Sequence, residues 1–211
     1  MKTLILLLSS ALLVGCLTPK ALQDSKNARE MGIAYLSEGN DAGAITELKK
    51  ATKANRWDHE AWHALGLAYF AAKHHDLAEE SFLKSLEIDE EFTQARMNLG
   101  SLYLETGRWD DAITAFTATL ADPEYREPGR ARHNLAWAHF NKGEYALARE
   151  RYREVLREFP QFCPSLLGLG RVDEAEGRLD DALARYQQGV ECNPSDLNGL
   201  ALLGMVEARL D

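Results

Sequence analysis

Proline is scarce in this chain, six residues of 211, and no long glycine, serine or proline tract divides it. The body of the protein is therefore a single solenoid or one large domain, with no linker between separate units. Lysine and arginine number 24 against 33 acidic residues, a formal charge of -9 that grows by one if Lys2 leaves with a cleaved leader. A nucleic-acid partner needs clustered basic residues and is excluded. No block of like charge stands out either, so the acidity reads as a solvated surface. A Gly-rich phosphate loop, a nucleophile elbow, a clustered catalytic dyad and a CxxC pair are all missing. Nothing here implies a cofactor or a small-molecule substrate. The longest apolar run, Leu4 to Val14, would rise only about 16 Å as a helix, against about 30 Å for a bilayer core.

That run nevertheless has a place. It follows the early cation Lys2 and closes on Leu13-Val14-Gly15-Cys16, the architecture of an export signal. The closing tetrad resembles a bacterial lipobox, which implies a signal peptide over 1–15 and lipidation of Cys16. A plain secretory signal with a chance cysteine is the alternative. Two or three acyl chains would make a lasting anchor where one is marginal. By analogy with enteric lipoproteins, Leu17 in place of aspartate after the cysteine favours the outer membrane, facing the periplasm. Residues 16–24 then read as a lipidated tether, spanning at most about 30 Å when extended.

From there the chain repeats. Gly32, Gly66 and Gly100 stand 34 residues apart, Ala136 follows after 36, and Gly170 and Gly204 continue at 34. Tyr35, Tyr69 and Tyr103 lie three beyond their markers. Ala44, Ala78, Ala112, Ala148 and Ala182 lie twelve beyond, and Leu48, Phe82, Phe116, Tyr152 and Tyr186 sixteen beyond. Turn signals such as Gly39-Asn40 and Gly107-Arg108 separate two helical patterns in each unit. Small residues let two short antiparallel helices approach, and the rings fill the space between hairpins. The pattern resembles the tetratricopeptide repeat. It implies an all-α, right-handed superhelix over 25–211, with units near 25–58, 59–92, 93–128, 129–162 and 163–196 and a capping helix over 197–210. Ala136, His139 and Asp173 depart from the pattern and put local packing in question.

Two cysteines remain. Cys163 opens the first helix of the fifth unit and Cys192 closes its second, so a hairpin brings them to one end. In an oxidising periplasm the pair reads as a disulfide worth roughly 3 kcal/mol. Two buried free thiols are the alternative. The one break in period, Asp122-Pro123-Glu124-Tyr125-Arg126-Glu127-Pro128, is either a tolerated insertion or a hinge or contact loop.

In such arrays the first helix of each unit lines the concave face. Reading its face positions gives an apolar stripe of Ile33, Leu36, Leu67, Phe70, Met97, Leu104, Trp137, Phe140 and Leu167. Arg29, His63, Gln94, Ser101, Arg130 and His133 accompany it. An exposed apolar track marks a binding groove for a partner segment, with Trp137 and Phe140 as aromatic anchors; the alternative is that some of these residues pack against the neighbouring unit. Asn98 and Asn134 resemble the asparagines of a peptide-carboxylate clamp, but the accompanying lysines are absent. His59-Glu60-Ala61-Trp62-His63 matches the zinc-peptidase motif HExxH. Tyr69 stands where a third histidine is required, so no metal site is expected and the motif reads as chance.

A narrower resemblance rests on Met97 through Asn134, MNLGSLYLETGRWDDAITAFTATLADPEYREPGRARHN, and on Phe162-Cys163 with Cys192-Asn193-Pro194. With the lipobox, these are similar to the type IV pilus assembly lipoproteins, the pilotins of the PilF/PilW/Tgl group. The resemblance implies a non-catalytic outer-membrane lipoprotein that binds secretin subunits and promotes assembly or localisation of the secretin ring. A general periplasmic adaptor for peptidoglycan enzymes or a protease is the alternative.

Overall fold

The computed structural model describes residues 17–210, which form eleven α-helices. They are α1 (Pro19–Ser37), α2 (Asp41–Ala54), α3 (His59–Ala71), α4 (His75–Ile88), α5 (Thr93–Glu105), α6 (Trp109–Leu120), α7 (Pro128–Asn141), α8 (Tyr145–Glu158), α9 (Cys163–Ala175), α10 (Leu179–Cys192) and α11 (Leu197–Leu210). Among the described residues there is no strand, and no helix is long and apolar enough to cross a membrane. The signal peptide and the lipidation expected at Cys16 lie outside the described residues.

The first helix of each hairpin, α1, α3, α5, α7 and α9, ends in one kind of bend. Gly39, Gly107, Gly143 and Gly177 take positive φ, which glycine reaches without a Cβ clash. The next residue donates its N–H back into the helix: Asn40 to the Tyr35 carbonyl at 2.8 Å, Arg108 to Tyr103 at 2.8 Å, Arg178 to Asp173 at 2.9 Å. That bond reverses the chain and sends the second helix antiparallel to the first. Lys73 makes the same bend at φ 61° without glycine's freedom.

The hairpins close on small residues facing rings. A Cβ at Gly66 would stand 2.5 Å from the Phe82 ring, and one at Gly100 2.7 Å from Phe116. Phe82, Phe116, Tyr152 and Tyr186 are fully buried, each contributing about 1.5–3 kcal/mol by the area it removes from water. The departures from the repeat are compensated locally. In the fourth unit Ala136 takes the glycine position, and Tyr152 is accommodated by Gly168 of α9, whose Cβ would meet its Cζ at 2.5 Å. Asp173 replaces tyrosine and is buried, but Arg149 and Arg178 both donate to its carboxylate.

Consecutive odd helices touch along the array, α1 with α3 through to α7 with α9, whereas the even helices of neighbouring units make no comparable contact. The odd helices therefore form the inner, concave wall. Cys163 and Cys192 are joined by a disulfide with Cα atoms 5.6 Å apart, tying the start of α9 to the end of α10.

One segment differs from the sequence reading, and a loop whose role it left open is placed. Residues 19–24, expected as an extended tether, belong to α1: Thr18 accepts the Ala21 N–H at 3.1 Å and Pro19 occupies the first turn, a start signal that favours helix from there on. The 122–128 loop is fastened to the array. The Asp122 carboxylate accepts from the Thr93 hydroxyl and from the Glu124 N–H, and Tyr125 packs against the cluster around Phe116.

Candidate functional site

Two hollows open on the inner wall. The first, about 650 Å³, lies between α1 and α3, with Ile33, Leu36, Leu67 and Phe92 as its apolar surface and Arg29 and Glu60 on its rim. Ile33 is 48% exposed, the most open of the four apolar residues of this hollow. Arg29 is held by Asp58 at 2.7 Å and by Glu60. The second hollow, about 220 Å³, lies where α7, α9 and α11 converge, and His133, Trp137, Tyr152 and Arg171 line it. Trp137 stacks on Phe140 with centroids 5.1 Å apart, and the Arg171 guanidinium sits 5.4 Å from the Trp137 ring centre.

Of the expected apolar stripe, Ile33, Leu36, Leu67, Trp137 and Leu167 line these hollows. Phe70, Leu104 and Phe140 are half-buried on the same helices. Met97 does not line either hollow. It is 3% exposed, in the cluster with Phe82 and Phe116, and Leu167, 5% exposed, meets its hollow from within the cluster of Tyr186 and Val206. The physical reason lies in register. Arg29, His63, Met97, His133 and Leu167 share one repeat position, three before the marker. There the side chain points toward the ring of the second helix and is covered from the next unit.

His63 and His133 show the covering directly. His63 packs edge-on to Phe92 at 5.1 Å and near Phe82 at 5.8 Å, and His133 lies 5.3 Å from Tyr152 and 5.4 Å from Phe162. Burial pushes His63 down to about 4, with His59 adding to the effect; burial alone pushes His133 down to about 4. Both are neutral at pH 7, so neither supplies charge to the wall. His63 Nε2 accepts from Asn98 Nδ2 at 2.8 Å, which also occupies the asparagine that resembled a carboxylate clamp. His133 Nδ1 is 3.0 Å from Ser165 Oγ. Gln94 and Arg130 are exposed, with Arg130 paired to Glu127 at 3.2 Å. Ser101 donates to the Met97 carbonyl at 3.2 Å.

The residues of the HExxH string are engaged elsewhere: Glu60 with Arg29, His63 with Asn98, and His59 Nε2 with Asp89 at 3.6 Å. Among the described residues no group of three His, Cys, Asp or Glu side chains is placed to hold a metal ion. Sequence reading missed Phe92 and Phe162, the covers, and Arg171, Tyr152 and Asn198, the polar part of the second hollow. The first two had a signal: each is the aromatic residue directly preceding a first helix. Arg171 and Asn198 carried none, since their proximity depends on how α11 docks.

Comparison with known proteins adds family context. Models described as Tetratricopeptide repeat match residues 59–92, 97–161 and 139–206. The chain is similar to the Type IV pilus assembly protein PilF of Pseudomonas aeruginosa, 26% identical over 141 residues that make up 66% of this chain and 56% of that protein. It thus spans little more than half the length of that relative. The solved structure of Pseudomonas aeruginosa PilF superposes with a TM-score of 0.76 at 21% identity, covering 90% of this chain and 86% of the other. That of PilW, a widely conserved type IV pilus biogenesis factor, gives 0.77 at 23% identity, with 89% and 92% covered. At these identities the structural likeness speaks for the fold.

Proposed function

Because this chain belongs to the tetratricopeptide-repeat family, an all-α superhelix of helical hairpins, we propose that it is a scaffold for type IV pilus assembly. In this reading it is a non-catalytic outer-membrane lipoprotein, facing the periplasm, that binds secretin subunits and promotes assembly or localisation of the secretin. The observation that carries the reading is the likeness to PilF, which runs through 66% of the chain.

The geometry supports a route. Helix α1 begins at Pro19, so lipid on Cys16 would hold the array directly against the membrane surface, with the Ile33–Leu36–Leu67 hollow on the hairpin nearest the anchor. An unassembled secretin subunit lodging an apolar segment there would be concentrated at the membrane where its ring forms. Exposed apolar side chains in a concave wall suit such an extended or helical segment, and the stacked Trp137–Phe140 pair gives a second anchor point.

Deleting the gene and following secretin by gel without heat denaturation tests the reading. Secretin is expected to persist as monomer, and restoring the protein with Ile33→Asp and Leu67→Asp should leave it so. Normal secretin multimers in the deletion strain would refute it.

A further inference from the structure

The end of the first hairpin carries a concentration of positive charge that the repeat does not require. Helix α2 closes on Lys49, Lys50 and Lys53, and Arg56 and Trp57 follow in the turn to α3, all of them exposed. At the register positions of the four cations, the second unit has Leu83, Lys84, Glu87 and Glu90. The third has Thr117, Ala118, Ala121 and Glu124, and the fifth Gln187, Gln188, Glu191 and Pro194. The fourth unit alternates, with Arg153 and Arg157 against Glu154. These units form the same hairpin with few such cations or none, so neither packing nor compensation of the helix dipole calls for them.

The beginning of α1 lies at the same end. Ser25 donates to the Ala51 carbonyl at 3.0 Å, which sets the first turns of α1 beside the close of α2 and adds the exposed Lys20 and Leu22. Of the carboxylates at this end, Glu47 is held by Lys50 at 2.6 Å and Asp58 by Arg29 at 2.7 Å, leaving Asp24. Trp57 is 51% exposed, with the Arg56 guanidinium 4.9 Å from its ring centre. The other units have Glu91, Tyr125, Gln161 and Ser195 at its position. An exposed indole and an exposed leucine among lysines is the chemistry of a membrane–water interface, where the ring sits at headgroup depth and the cations meet lipid phosphates.

We propose that the end of the first hairpin is a membrane-contact surface, resting on an anionic lipid bilayer with Trp57 and Leu22 at headgroup depth and Lys20, Lys49, Lys53 and Arg56 against lipid phosphates. It rests on the reading of a membrane-attached chain, and not on the secretin being the partner. One acyl chain holds a protein only marginally, and a basic patch supplies a second hold; here the patch adjoins the residue expected to carry the lipid. The same edge of the second hairpin carries Glu87, Asp89, Glu90 and Glu91, which an anionic surface repels. Contact is therefore confined to the first unit, and the array tilts up from the membrane with the inner wall of the later units open to solvent.

The test uses the full chain as its host cell processes it, with mass spectrometry reading whether Cys16 is acylated. The purified protein is mixed with vesicles of phosphatidylglycerol or of phosphatidylcholine, each containing lipid brominated in the upper acyl chain. Trp57 emission is isolated as the difference from Trp57→Phe. Bromolipid should quench that emission at least fivefold more in phosphatidylglycerol than in phosphatidylcholine, and high salt should reduce the difference. Lys49→Glu, Lys53→Glu and Arg56→Glu combined should abolish it, whereas Lys84→Glu, at the same register in the second unit, should not. Equal quenching in the two lipids overturns the surface, and so does none in either, which leaves the cations to an acidic protein. An acylated Cys16 with Trp57 unquenched overturns the surface while leaving the anchor intact; quenching without acylation refutes the anchor and retains the surface. Undiminished quenching in the folded triple variant refutes the assigned cations. Should that variant not fold, the comparison of the two lipids on the native protein decides alone.

Discussion

Acid should unfold this protein through two histidines before its carboxylates matter. His63 and His133 sit at one repeat position, in different units, each against the ring of its second helix and an aromatic residue that opens the next unit. Burial holds both near 4 in the folded state, against about 6.5 in an unfolded chain. For a base whose folded pKa is depressed, the unfolded chain binds more protons between the two values, so stability falls as pH drops from 6.5 to 4 and levels off below. Each histidine should remove about 2 kcal/mol between pH 7 and pH 4.5 at 1.36 kcal/mol per unit, a total comparable with half the stability of a modest domain.

The repeat supplies its own control substitutions, because Met97 and Leu167 fill the same position in other units. His63→Met and His133→Leu are therefore expected to fold. Each leaves a partner unsatisfied, Asn98 Nδ2 or Ser165 Oγ, a loss that does not depend on pH and offsets the whole curve. Urea unfolding at intervals from pH 7 to 4.5 reads the slope. The double variant should be nearly flat where the native protein loses stability, and resonance titration of the two imidazoles should give midpoints near 4. An unchanged slope in the double variant, or midpoints near 6.5, would refute the assignment.

Three further outcomes follow from particular contacts. Lys73→Gly should stabilise by about 1 kcal/mol in urea unfolding, since it relieves a left-handed residue and gives up an exposed pair with Glu105 and a 5.8 Å approach to the Phe70 ring, both of the kind that contributes little. Gly100→Ala should destabilise by about 1–3 kcal/mol because its Cβ would meet the Phe116 ring at 2.7 Å, whereas Gly204→Ala, with nothing within 4 Å, should gain up to about 1 kcal/mol from helix propensity; equal effects would refute the packing account. Replacing Cys163 and Cys192 by serine should cost about 3 kcal/mol for a cross-link spanning 29 residues, visible as a lower midpoint that reductant no longer shifts.

Part of the site was legible in advance. The repeat register correctly put Ile33, Leu36, Leu67 and Trp137 on helices that form the inner wall, because that placement depends only on which helix of a hairpin comes first. It erred at Met97, where whether a position is open depends on the residues brought over it from the next unit. The aromatic cover at Phe92 and Phe162 was in the string, but its role appears only when the following helix is docked.

What the sequence alone determined is the ladder of glycine, alanine and ring residues at a 34-residue spacing, and with it the all-α array, its hairpins and the end of the fifth hairpin where two cysteines meet. These are consequences of local turn chemistry and of helix periodicity, both fixed by residues near one another in the chain. Only the tertiary structure decided that α1 begins at Pro19, that Tyr152 leans on Gly168 beside an alanine-bearing unit, and that Arg171 from α9 faces Trp137 from α7 and Asn198 from α11. Those juxtapositions follow from the angle at which one unit stacks on the next, and that angle is set by the sum of many side-chain contacts across the interface.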